Sequence, residues 1–218
     1  MKNNLKNFNS NEIINKRLQK VEEQYRPYSA ANYLYNLILK EHIDNKYIKN
    51  DCYEEYFIEL IWATLDAWNM NSRRARLACI NDFKKSLSEH TQDIESLKEY
   101  SIEDLSEKNY KSKKIFEKLE ELFNKLHLTE SKSKIVTFSK VMHFLLPNLI
   151  VPIDNRYTAN FFQCKICSNS HFSLFKSIES AFGLFASEVN LDDFVRNNSR
   201  WCKYKTKIID NIIIGYEK

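Results

Sequence analysis

Glycine and proline are nearly missing: two Gly and three Pro occur in 218 residues. Tight turns of antiparallel sheets draw on Gly, Asn and Pro. Their scarcity argues against a sandwich or barrel and for helices joined by short polar loops, with the many Asn residues taking over part of the turn work. Long apolar runs are missing too. No stretch reaches the roughly 20 apolar residues needed to span a bilayer, and the stretch from Met1 to Arg17 lacks the apolar centre of a secretion signal. The five cysteines are odd in number and irregularly spaced, which excludes a simple disulfide framework. These absences lead to the expectation of a soluble, cytoplasmic protein with no membrane partner. Charge of one sign is not in excess either: the net charge of +4 permits nucleic-acid binding without demanding it, so a local patch matters more than the sum.

What is present is apolar and aromatic. Hydrophobic residues make up 43% of the chain, with 14 Phe and 12 Tyr, enough for a sizeable core and too many for a disordered tail. The length suits one large domain or two fused lobes. The expected fold class is all-α, a single helical domain over 1–218. Two lobes within it run over roughly 25–130 plus the C-terminal helix, and over 131–200, with a cleft between them.

Helical periodicity supports this along most of the chain. The first ten residues read as a loose polar leader. Ser10 is an N-cap for a helix to about Gln24, broken by Pro27, and Ser29 caps a second helix. Tyr53 to Trp68 is strongly periodic and exits through Trp68-Asn69-Met70. The basic run Arg73, Arg74, Arg76 follows, then a helix from Ala75 to about Leu87. Residues 91–109 read as two short helices. Tyr110–Leu126 is an amphipathic surface helix. Ile135–Leu146 is apolar on nearly every side, the pattern of a buried helix, and Pro147 ends it. Tyr157–Phe162, Phe172–Phe185, Leu191–Arg196 and Lys205–Gly215 complete the set. The last of these is expected to fold back onto the N-terminal part.

One stretch carries candidate chemistry. Lys140 is set at the start of the buried helix, and Asp154 returns just after it, 14 residues on. Lysine is rarely buried without a partner or a job. One helix plus a return link brings both groups to the mouth of one cleft. Asp154 is also placed as N-cap or first-turn acid of the next helix, the commonest job for such an Asp. His143 shares the Lys140 face, three residues on. It reads either as a base-binding or Lys140-tuning group or as a satisfied core histidine. Cys164-x-x-Cys167 with His171 and Cys202 is an incomplete zinc pattern, and buried free thiols are the default reading. No metal and no cofactor are expected.

Lys140 and Pro152-Ile153-Asp154-Asn155-Arg156 resemble the lysine and the aspartate motif of the helix-hairpin-helix (HhH-GPD) superfamily of DNA glycosylases. The whole region 53–216 is also similar to a divergent family of small bacterial proteins. They share a Trp-x-Met turn (Trp68–Met70), a Ser-Lys-x-x-His-x-Leu-Leu-Pro helix (Ser139–Pro147), a Pro-x-Asp-x-x-Tyr-Thr motif (Pro152–Thr158) and an Ile-Asp-Asn-x-Ile-x-Gly-Tyr end (Ile209–Tyr216). Two departures stand out. The glycine hairpin of the glycosylases is replaced by Glu130–Ser139, where Lys132, Lys134 and the Ser and Thr hydroxyls are left to contact phosphate. The four-cysteine iron–sulfur loop is absent.

The resemblance implies an enzyme that flips an altered base out of duplex DNA and hydrolyses its glycosidic bond. The altered base is damage in host DNA or a hypermodified base of phage DNA, the second making the protein a defence factor. Asp154 is then the catalytic carboxylate. Lys140 is the amine for an accompanying strand cleavage through a Schiff base. Arg73, Arg74, Arg76, Arg156, Lys132, Lys134 and Ser139 are DNA contacts, and Trp68 and Tyr157 are pocket or wedge aromatics beside His143. A DNA-binding relative without chemistry and a helical protein-interaction module are the competing expectations.

Overall fold

The computed structural model describes residues 5, 8, 10–26, 28–71, 76–166, 171–197 and 202–217. Pro27, Arg73, Arg74 and Cys167 lie outside them. The all-α class holds: the described residues form eleven α-helices and a single two-stranded hairpin.

The chain opens with α1 (Asn11–Glu22) and α2 (Ala30–Asp44). Both are capped where the sequence indicates: Ser10 Oγ accepts the Ile13 N–H, and Ser29 Oγ accepts the Asn32 N–H. Within the first ten residues, two positions depart from the expectation of a loose leader. Leu5 and Phe8 are buried, and the Phe8 ring lies 5.6 Å from Phe161 and 6.0 Å from Tyr216. Leu5 and Phe8 are thus part of the core.

The hairpin β1 (Ile48–Lys49) and β2 (Cys52–Tyr53) turns through Asn50 and Asp51, both at positive φ, a conformation these two residue types tolerate. It leads into α3 (Glu55–Ala67), which ends at Trp68. The next helix starts later than periodicity suggests. Residues 77–79 are not helical: Leu77 bridges to Thr129, and Ala78 donates its N–H to the Leu128 carbonyl. Tertiary pairing thus overrides helix propensity there, and α4 runs over Ile80–Glu89. Then come α5 (Thr91–Glu95), a 3-10 turn (Ile102–Leu105) and α6 (Ser112–Lys125).

At the centre lies α7 (Ile135–Leu145), buried at every position except the half-buried Val136. After it come α8 (Tyr157–Phe162), α9 (Phe172–Glu188), α10 (Asp192–Asn197) and α11 (Lys205–Glu217). The C-terminal helix α11 packs along α1 and touches α8 and α10. Arg17 on α1 donates to the Gly215 carbonyl at 3.1 Å. No helix among the described residues is long and apolar enough to cross a membrane.

Both glycines mark backbone contacts between helices. A Cβ on Gly183 of α9 would lie 2.5 Å from Ser106 N and 2.8 Å from the Ile102 carbonyl oxygen, so α9 rides on the backbone of the 3-10 turn. The obstructing atoms are main chain and cannot rotate away. Gly183→Ala is therefore expected to cost about 1–3 kcal/mol. At roughly 2–4 °C per kcal/mol for a chain of this size, thermal denaturation reads this as a clear drop in Tm.

Candidate functional site

The site forms where α7 ends and the chain returns. Pro147 stops α7, the link runs back along it, and α8 begins at Tyr157. An extended link cannot satisfy its own N–H groups, so side chains of three helices do so. Glu179 of α9 accepts from Val151 N at 3.2 Å, Ser139 of α7 accepts from Ile153 N at 3.0 Å, and Thr158 of α8 accepts from Asp154 N at 2.9 Å. Pro152, between them, has no N–H to satisfy. The backbone carrying Asp154 is thereby fixed on three sides.

Asp154 divides its two oxygens. Oδ1 accepts the N–H groups of Arg156 (2.8 Å) and Tyr157 (3.3 Å), the capping job read from the sequence. Oδ2 faces the Lys140 ammonium at 3.5 Å. The lysine side chain is 7% exposed and the aspartate side chain 22%. Burial pushes the Asp154 carboxyl up, but Lys140 and the two backbone N–H groups pull harder, and it stays below the ordinary aspartate value. The group is a carboxylate at neutral pH with an edge open to solvent.

Lys140 does not stand at the helix start. Lys134 holds the N-cap of α7, and Lys140 lies in the second turn, with its ammonium 5.3 Å from the Trp68 ring and 3.8 Å from Met70 Sδ. The Ser131–Ser133 turn, tied by Ser131 N to Thr129 Oγ1, leads into α7 at Ile135, the start that periodicity gives. The Trp68–Met70 exit of α3 thus forms the wall behind the lysine.

His143 is fully buried with both ring nitrogens taken, Nε2 by the Tyr35 hydroxyl (3.0 Å) and Nδ1 by the Ile150 carbonyl (2.8 Å). Burial lowers it to about 3, and it is neutral. It orders Tyr35 and the link and presents no nitrogen to a ligand. Ser139 is likewise buried, its hydroxyl between the Val136 carbonyl and Ile153 N, so it holds the link and does not reach outward.

Tyr157 opens α8, and the exposed Arg156 lies over its ring at 5.4 Å. Arg76 is exposed, and its carbonyl accepts from Thr129 Oγ1 and Glu130 N. That brings the end of the basic run beside the turn that carries exposed Lys132 and half-buried Lys134. Cys164 and His171 belong to no group of three or more metal-binding side chains among the described residues.

Sequence reasoning passed over four polar residues here. Tyr35 lies 6.0 Å from Trp68. Glu179 is fully buried, and burial raises its carboxyl well above the usual range while the Val151 N–H it accepts pulls it down. Its signal was a lone acid on the apolar face Phe175–Ile178–Phe182. Lys207 and Asp210 of α11 form a second buried ion pair, at 2.5 Å. Their signal was a pair of charges inside a run of isoleucines.

The histidines set the acid side of the stability curve. His42, whose Nε2 contacts the Phe144 carbonyl at 2.6 Å, is lowered by burial to about 4, and His143 to about 3. Both values are depressed. The stability they confer is complete above about pH 6.5, where the unfolded histidines are also neutral, and is lost as pH falls toward the folded values. Each contributes a slope of about 1.4 kcal/mol per pH unit between those limits. His143→Gln is expected to flatten the fall of stability between pH 6.5 and 4.5 by that amount, read from urea denaturation at each pH.

No family model matches the chain, and neither a curated protein nor a solved structure is detectably similar to it.

Proposed function

We propose that the protein is a DNA glycosylase that hydrolyses the bond between deoxyribose and an altered base, with Asp154 as its catalytic carboxylate. The observation that carries this reading is the Lys140–Asp154 pair: an ionised, partly exposed carboxylate, held rigidly by the link and backed by a buried ammonium. Glycosidic cleavage builds positive charge on the sugar. A fixed carboxylate beside that carbon stabilises the charge and takes the proton of the attacking water. In this reading the duplex lies across the cleft between the two lobes. Arg156, Arg76, Lys132 and Lys134 contact phosphates, while Trp68 and Tyr157 face the extruded nucleotide.

Lys140 has a different part from the one the resemblance implies. Its ammonium is engaged by Asp154, Trp68 and Met70, and a Schiff base needs a free amine. The reading is therefore of a hydrolase in which Lys140 keeps Asp154 ionised. A DNA-binding relative without chemistry is the competing reading, favoured by the capping role of Asp154 Oδ1.

Base release distinguishes them. Plain, uracil-containing, oxidised, alkylated and phage-modified duplexes are incubated with the protein, and abasic sites are scored. The expected result is release from one class, slowed about 10²-fold or more by Asp154→Asn, with no borohydride-trapped adduct. A trapped adduct lost in Lys140→Met restores the lyase role. Salt-sensitive DNA binding with no release from any duplex overturns the enzyme reading.

A further inference from the structure

A cavity of about 210 Å³ lies beyond the C-terminal end of α7, and Lys140 and Asp154 do not line it. The turn from Leu146 borders it, roughly 9 Å past Lys140 along the helix axis at about 1.5 Å per residue. Five segments supply the walls. His42 comes from α2, Tyr47 from the turn after it, and Lys98 and Tyr100 from the stretch after α5. Asn148 follows α7, and Tyr204 precedes α11. The space far exceeds the roughly 30 Å³ of one water and falls below the roughly 300–1,000 Å³ of pockets for drug-sized ligands. It suits a ligand of one or two fused rings, and the His42, Tyr47, Tyr100 and Tyr204 rings suit a planar one.

The polar groups of the cavity are only partly used. His42 sets Nε2 at 2.6 Å from the Phe144 carbonyl, which can only accept, so Nε2 carries the hydrogen and Nδ1 of this neutral ring is an acceptor. Nδ1 has no partner among the described residues and is not sealed from solvent. The Ile102 N–H donates to the Asn148 carbonyl at 2.9 Å. The exposed side-chain amide of Asn148 and the hydroxyl of half-buried Tyr204 make no hydrogen bond with the described residues.

Charge of either sign is disfavoured there. The Lys98 ammonium lies 3.9 Å from the centre of the Tyr47 ring, donates to the Tyr47 hydroxyl and pairs with Glu95 at 2.7 Å. A cationic ligand would meet an ammonium already on the aromatic face. An anionic one would meet a cation already neutralised. Lys111 and Lys205 nearby are paired as well, with Asp104 at 3.4 Å and Glu103 at 2.7 Å. The last turn of α2 and the end of α7 both border the cavity, and helix C-termini carry partial negative charge.

We propose that this cavity is a second ligand site and takes an uncharged nucleobase, free or as its nucleoside. Such a base is planar, neutral and carries donors and acceptors side by side on its edge. Its ring packs against the tyrosines. An edge N–H meets His42 Nδ1, and an edge carbonyl or ring nitrogen takes the Asn148 amide or the Tyr204 hydroxyl. Binding of this kind needs no catalysis at Asp154.

Calorimetric titration of the full chain with adenosine, guanosine, cytidine, thymidine and uridine tests it. At least one is expected to bind saturably, at one site per chain. Its 5′-monophosphate should bind about two- to fivefold more weakly. Indole, planar but without an edge acceptor, should be weaker by about fivefold or more. Tyr204→Ala should weaken nucleoside binding about fivefold or more, and Asn148→Ala about two- to tenfold. Asp154→Asn should bind as the wild type does. Asn148 is exposed and its amide holds no described residue, so Asn148→Ala decides the matter if Tyr204→Ala does not fold. The absence of saturable binding by any nucleoside overturns the proposal, as does binding that neither cavity variant weakens. A monophosphate or indole bound as tightly as the nucleoside overturns the choice of an uncharged base. Binding lost in Asp154→Asn and kept in both cavity variants places the base at the Asp154 site and overturns the second site.

Discussion

An ammonium group buried inside a helical core needs a counter-charge, and that need organises the centre of this protein. Lys140 sits on a helix whose other sides are packed by Phe138, Val141, Met142 and Phe144, so its charge has little access to water. Removing one partner of such a pair leaves an uncompensated charge, at a cost of about 3–5 kcal/mol. The chain meets the need by returning Asp154 to the middle of the helix. The return itself makes three further demands, met by Ser139, Thr158 and Glu179.

The surrounding architecture follows from that return. Glu179 reaches the link only because α9 packs closely, and α9 comes that close to the 3-10 turn only because Gly183 has no side chain. On the other side the end of α7 is fixed by Thr206 of α11, whose hydroxyl donates to the Pro147 carbonyl. His143 holds the Ile150 carbonyl from within α7. Every polar atom that positions the link therefore comes from a different distance along the chain. Lys140 is built into the core, and Asp154 stands on a link that side chains of three helices hold in place.

Legibility in the sequence varied with the kind of signal. Helix starts at Ser10 and Ser29 were readable because a capping hydroxyl acts within three residues. The buried character of α7 and the stop at Pro147 were readable for the same local reason. The meeting of Lys140 with Asp154 was foreseen from one helix and one link. The place of Lys140 within α7 was misread, because a helix that starts at Ile135 puts Lys140 in the second turn and not at the start. The burial of Leu5 and Phe8 was missed because two apolar residues among polar ones show no period.

Sequence by itself determined the helical class, the principal helices and their caps, and the pairing of one lysine with one aspartate. These depend on spacing, on capping chemistry and on the scarcity of glycine and proline, all of which act over a few residues. Only the tertiary structure decided where the other buried polar groups find their partners. Tyr35, Glu179, Lys207 and Asp210 come from α2, α9 and α11, and no local pattern ties them to residue 154. Tyr35 finds His143, Glu179 finds the Val151 N–H and Lys207 finds Asp210, because burying the apolar faces of those helices leaves each polar side chain to take a partner inside the core.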